Sequence, residues 1–312
     1  MQAPKNTRDI VTIGMALSFV FLGAGAAQPF VVDYLHEIKG FSTAQASFVL
    51  SLVYFVFVVF WLLIGAIVDL IGMQRVKILG IATYALFPFI VYAADSYPVL
   101  LMGSVMWGIG AAMMWTSSMV QIMNSAPPGR IASSTGIVKC AEMTAAFLGA
   151  YLLSWRYARS GYEQVFLLAA AFGVGGILSM AASPKRHVEP GRPSLAKFTT
   201  LMRKPGTKTV CLLLFSSGFA YGIILNGAKS HIETQCGIQW LKWVLPVFPM
   251  TGIFASLFGG FLCDRIGRWT TFVWAFGIGA AGMFLAASTA QPLVLMLAML
   301  AIGVQKDRKS VV

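Results

Sequence analysis

The chain has 312 residues, of which 58% are apolar and only 11% charged, and its formal charge is +12. A soluble domain holds about 45–50% apolar and about 25% charged residues, so this composition excludes a disordered chain, a coiled coil and an ordinary soluble enzyme. The apolar residues form long unbroken runs, not the short alternating segments of an outer-membrane barrel, and they read as a multi-span helical membrane protein.

Charge-free runs place the helices in chain order. After the polar opening MQAPKNTRD comes a 23-residue run, Ile10–Val32, too long for the apolar part of a signal peptide and therefore read as a retained first span. Span 2 lies between Lys39 and Asp69, span 3 is Ile78–Ala94, and span 4 runs from about Pro98 to Gln121. Span 5, Ile131–Trp155, is interrupted by Lys139 and Glu142; span 6 is Gln164–Ala182. The longest polar segment follows, Ser183–Lys208. Spans 7 to 10 are Thr209–Gly227, Trp243–Phe261, Trp269–Ser288 and Pro292–Val304. At about 1.5 Å per residue, all but the last can cross about 30 Å of hydrocarbon.

Basic residues set the orientation. With the amino end in the cytoplasm, Lys5, Arg8, Arg75, Lys77, Arg130, the basic 183–208 segment, Arg265 and Arg268 share one side, and Lys39, Arg156, Arg159, Lys229 and Lys242 the other. The positive charge then reports topology and headgroup contact, with no nucleic-acid partner. Cys140, Cys211, Cys236 and Cys263 contain no C-x-x-C pair, and His36, His187 and His231 fall between the runs, so neither a metal site nor a cofactor is expected. Catalytic signatures such as H-E-x-x-H, G-x-S-x-G and the Walker loop are absent from the sequence.

The chain repeats itself. Gly65, Asp69 and Gly72 after span 2 recur as Gly260, Asp264 and Gly267 after span 8, the second copy followed by basic Arg265 and Arg268 in and after the motif. Both copies read G-x-x-x-D-x-x-G at an offset of 195 residues, and PVLLM from Pro98 faces PLVLM from Pro292 at 194. Two copies of one six-helix unit are therefore expected, residues 1–182 and 209–312, joined by the linker 183–208. The glycines allow close approach and a tight turn, and the acid can accept from backbone N–H groups at a facing helix start.

This paired motif resembles the major facilitator superfamily of secondary transporters. The second copy, GGFLCDRIGR, matches its loop signature well; the first departs, with Leu70 and Met73 at the usual basic positions. The resemblance implies an all-α fold of two pseudo-symmetric bundles, a gating role for the motif, and alternating-access transport of a small solute, coupled or not to a proton or ion. Its fourth-helix arginine, linked to proton coupling, would fall near Ser104, and its fifth-helix glycine-proline antiporter motif is missing. Gly108-Ile-Gly110-Ala-Ala-Met-Met-Trp115-Thr116 also resembles the fourth helix of the family's "uncoordinated" branch, which implies a non-transporting regulator or trafficking partner as the alternative. The second copy runs out inside the counterpart of span 4, where Gln305–Lys309 stand against the apolar Ala111–Trp115, so the sequence leads one to expect a truncated transporter inactive by itself.

Lys139 and Glu142 are the candidate centre. An ion deep in a bilayer costs about 2.5–3.5 kcal/mol on insertion scales, so each needs a partner, and i,i+3 spacing puts both on one face. They serve either as a substrate or coupling site or as a structural pair tying span 5 to a neighbour. Gln28, Trp115, Thr116, Gln121, Ser217, Tyr221 and Asn226 form a second tier, on spans expected to line the cavity or merely to pack there. The membrane is expected to be a plasma or inner membrane; the substrate itself is not encoded in any motif.

Overall fold

The structure, a computed structural model, describes residues 7–61, 63–126, 131–182, 222, 227–266 and 268–306. Among these residues the regular elements are all helical. The first span is one rod, Arg8–Glu37, built from α1 (Thr7–Val20), a π-helical turn (Phe21–Gly25) and α2 (Ala26–Glu37). Then come α3 (Thr43–Trp61), α4 (Ile64–Ile71), α5 (Met73–Ala93), α6 (Tyr97–Ser125), α7 (Ile131–Ser160) and α8 (Tyr162–Ala181). After the linker region follow α9 (residues 227–236), α10 (Ile238–Val244), α11 (Val247–Ile266), α12 (Arg268–Ser288) and α13 (Pro292–Lys306). Expected span 7 lies almost wholly outside the described residues.

Among the described residues six helices are long and apolar enough to cross a membrane, and they are the six expected of the first copy. Their ends differ from the charge-free runs. Span 3 begins at Met73, span 4 ends at Ser125 and span 5 continues to Ser160, so the helices carry Arg75, Lys77, Arg156 and Arg159 beyond the apolar runs. A hydrophobic run marks the hydrocarbon, but backbone hydrogen bonding continues into the interface, where polar side chains still find partners. His36 and His231 are likewise helical, not in loops: His36 contacts the Phe41 carbonyl at 2.8 Å and His231 that of Ala286 at 3.0 Å.

Large apolar side chains cover the outside, among them Leu70 (83% exposed) and Phe284 (78%), as suits a surface whose solvent is lipid. Inside, α1 lies against α7 and α8, α5 against α6 and α8, and α3 against α6. Among the described residues Trp107 is the largest fully buried side chain, stacked on Phe87 at 4.2 Å and edge-on to Tyr84 at 5.3 Å. Beyond the linker, α11 packs on α7 and α13, and α12 on α13.

The π turn has a local cause. Pro29 has no N–H to offer the Gly25 carbonyl and its ring crowds the preceding turn, which widens. The widened turn is pinched between two neighbours: a Cβ on Gly23 would stand 2.5 Å from the Ala169 carbonyl oxygen, and one on Gly149 2.3 Å from that of Leu22. Only glycine permits either approach.

Candidate functional site

The π turn presents Phe21 edge-on to Trp115 of α6, with ring centroids 5.8 Å apart. The other side of Trp115 meets α7: the Lys139 ammonium lies 3.8 Å from its ring centroid. Lys139 Nζ also donates to both carboxylate oxygens of Glu142, at 2.9 and 2.8 Å. Lys139 is 8% exposed and Glu142 1%. The expected i,i+3 pair therefore forms along one helix, and among the described residues no charge from a neighbouring helix joins it. Because α7 runs on to Ser160, the pair sits about a third of the way along the helix, not at its middle.

Around this centre the second-tier residues divide. Thr116 follows Trp115 and its hydroxyl is buried without a hydrogen-bond partner. Gln28 on α2 accepts from the Tyr54 hydroxyl of α3 at 3.0 Å, so that amide is engaged across the bundle. Gln121 belongs elsewhere: it accepts a hydrogen bond from Lys77. Ser217, Tyr221 and Asn226 lie outside the described residues.

The gating motif is visible in part. Gly72 caps α4 and opens α5 with φ 83°, the tight turn the motif requires. Gly65 is on α4, and a Cβ there would meet nothing within 4 Å among the described residues. Asp69, Gly260, Asp264, Arg265 and Arg268 are helical, with side chains outside the described set; Gly267 lies outside it as well.

Two buried polar clusters were not expected from the sequence. At the end bearing Gly72, Asp9 of α1 accepts from Ser125 Oγ at 3.0 Å, next to the Lys77–Gln121 hydrogen bond, and all four residues are buried. Asp9 sits in the first turn of its helix, where the backbone favours a carboxylate. At the opposite end Lys229 is fully buried among Asp33, Glu233 and Tyr162. Both lysines border apolar runs and read as loop charges by sequence alone; the faint signal was an acid flanking a partner run, Asp9 before span 1 and Asp33 after it. At that same end Lys39 pairs with Asp95 at 2.6 Å. Partial burial pulls the Lys39 pKa down, but the hydrogen bond and charge of Asp95 together with the Tyr34 hydroxyl outweigh it and the net shift is upward.

Comparison with known proteins gives the family. The uncharacterized MFS-type transporter YhhS of Shigella flexneri is 25% identical over 306 residues, covering 94% of this chain and 73% of that protein. YhhS of Salmonella paratyphi C is 25% identical over 316 residues, with the same coverage. The crystal structure of the D323A mutant of the nucleoside transporter NupG superposes with a TM-score of 0.74 at 14% identity, covering 97% of this chain and 80% of that one, and shares the fold. Residues 13–305 match the Major Facilitator Superfamily, and the chain belongs to that family of secondary transporters, an integral multi-pass membrane protein and not an enzyme.

Proposed function

We propose that the protein moves a small organic solute by alternating access between two halves, residues 1–182 and 209–312, and that Lys139, Glu142 and Trp115 form the solute-contacting centre. One observation carries this reading: a buried ion pair on α7 lies against the half-buried aromatic face of Trp115 on α6, and the second-half helix α11 packs against α7. A cation, a carboxylate and a π surface supply both signs of charge and a stacking face within one site. In this reading the amino end and the Gly72 turn are cytoplasmic, as the basic residues suggest. Asp69 and Asp264 then gate the inner end from equivalent positions of the two copies.

Nucleosides, which the structurally similar NupG transports, are the first solutes to try. The test is uptake by the full chain in proteoliposomes against a panel of labelled nucleosides, sugars and organic anions. Saturable uptake of one class, competed by its unlabelled form, supports the proposal. Uptake indistinguishable from empty liposomes across the panel, by protein that is monodisperse and folded, counts against it.

A further inference from the structure

At the end opposite the Gly72 turn the basic side chains divide into two kinds. Lys39 pairs with Asp95, Lys229 with Asp33 and Glu233, and Arg156 donates to Gln164 Oε1 at 3.1 Å. Arg159 and Lys242 form no salt bridge among the described residues, and each rests on an indole instead. The Arg159 guanidinium lies 4.4 Å from the Trp155 ring centroid, and the Lys242 ammonium 5.5 Å from that of Trp243. An indole face attracts a cation without neutralising it, so both charges stay available to an anion.

The two cations stand on adjoining walls. Arg159 belongs to α7 of the first half and Lys242 to α10 of the second, and α10 packs on α7. Tyr151 of α7 meets Trp243 edge-on, 5.8 Å between centroids, and joins the walls. Tyr151, Trp155 and Arg159 follow one another at four-residue spacing and share one face of α7. Arg159 folds back one turn onto Trp155, which brings its charge down toward the level of Tyr151 and Trp243. Leu148, just below Tyr151, and Trp243 are both half exposed, so the face continues as apolar surface toward the middle of α7.

Depth says what this face meets. α7 has 30 residues and is about 45 Å long at 1.5 Å per residue, the thickness of a bilayer with its headgroups. Its last turn, which carries Arg159, therefore stands among headgroups, and the rings below it at the boundary where Trp and Tyr concentrate.

We infer that Arg159 and Lys242 hold the phosphate of one anionic phospholipid, seated in the groove between α7 and α10 with its acyl chains along Tyr151 and Leu148. A zwitterionic lipid would bring its own ammonium to two cations that no described acid balances, so an anionic headgroup is favoured. The apolar floor of the groove favours a lipid over free phosphate. The site does not depend on which solute is carried.

The test titrates the full chain in detergent micelles with phosphatidylglycerol or phosphatidylcholine and counts bound lipid by native mass spectrometry. A basic side chain near the headgroups contributes about fivefold in affinity for an anionic lipid, so the unaltered chain should prefer phosphatidylglycerol about 25-fold. Arg159→Gln and Lys242→Gln should each lower that preference about fivefold and together abolish it. Lys39→Gln removes a paired cation from the same end and should leave it intact, and excess inorganic phosphate should leave the lipid in place. The two single changes decide the matter if the double variant does not fold. A preference kept by the folded variants overturns the site, as does an equal loss in Lys39→Gln. Displacement of the lipid by inorganic phosphate overturns it too, as a phosphate site and not a lipid seat.

Discussion

The Lys139 ammonium stands 3.8 Å from the centroid of the Trp115 ring while both oxygens of Glu142 accept from it. The carboxylate and the π face share one cation in a site that excludes water, where cation–π attraction reaches about 2 kcal/mol. Trp115→Leu should therefore destabilise the folded protein by about 1–2 kcal/mol, and Trp115→Phe by less, since a phenyl face still attracts a cation. Thermal unfolding in detergent orders the two variants; equal losses would mean that volume, not the π face, is what Lys139 uses.

The buried lysines and the paired surface lysine should differ in weight. Lys39 faces Asp95, whose side chain is 86% exposed, and such pairs contribute about 0–1 kcal/mol. Lys77 is 3% exposed beside Asp9, Gln121 and Ser125, and removing one member of a buried charge network costs about 3–5 kcal/mol. Lys77→Met should lower the unfolding temperature far more than Lys39→Met. The raised pKa of Lys39 makes its small contribution complete below the ordinary lysine value and lost only as pH rises through the elevated one, so unfolding curves of Lys39→Met and the unaltered chain should keep a constant gap from pH 6 to 9.

The helix count, the repeat and the Lys139–Glu142 pair were legible in the sequence because hydrocarbon tolerates so few charges that an ion inside an apolar run stands out. Lys77 and Lys229 were not, since a charge at the edge of a run looks the same whether it faces water or a buried acid from another helix. Which it meets depends on how far each helix extends past its apolar core, as α5 and α7 do. The π turn was hidden for a related reason: Pro29 announces a disturbance, but not whether the helix kinks, ends or widens. Gly65, by contrast, promised a close contact that the described residues do not make there.

Close approach can be tested where it does occur. A side chain at Gly149 must displace the Leu22 carbonyl, 2.3 Å from its Cβ position, and overpacking of this kind costs about 1–3 kcal/mol or more. Gly149→Val should destabilise the protein accordingly and loosen the seat of the π turn. Gly14→Ala, where a Cβ meets nothing within 4 Å, should leave the unfolding temperature within about 0.5 kcal/mol equivalent of the parent. A neutral Gly149→Val would show that the π turn and α7 can part at no cost.

If the Lys139–Glu142 pair meets the solute, it is more than a structural tie. Glu142→Gln alone strands a buried ammonium and should destabilise the protein by about 3–5 kcal/mol, and adding Lys139→Met should restore much of that loss. The deciding measurement is solute uptake by the folded double variant in proteoliposomes, beside the unaltered chain. Uptake should fall at least about tenfold, equivalent to roughly 1.4 kcal/mol of barrier, with stability recovered. Uptake by the double variant at the rate of the unaltered chain would contradict the solute-contacting role.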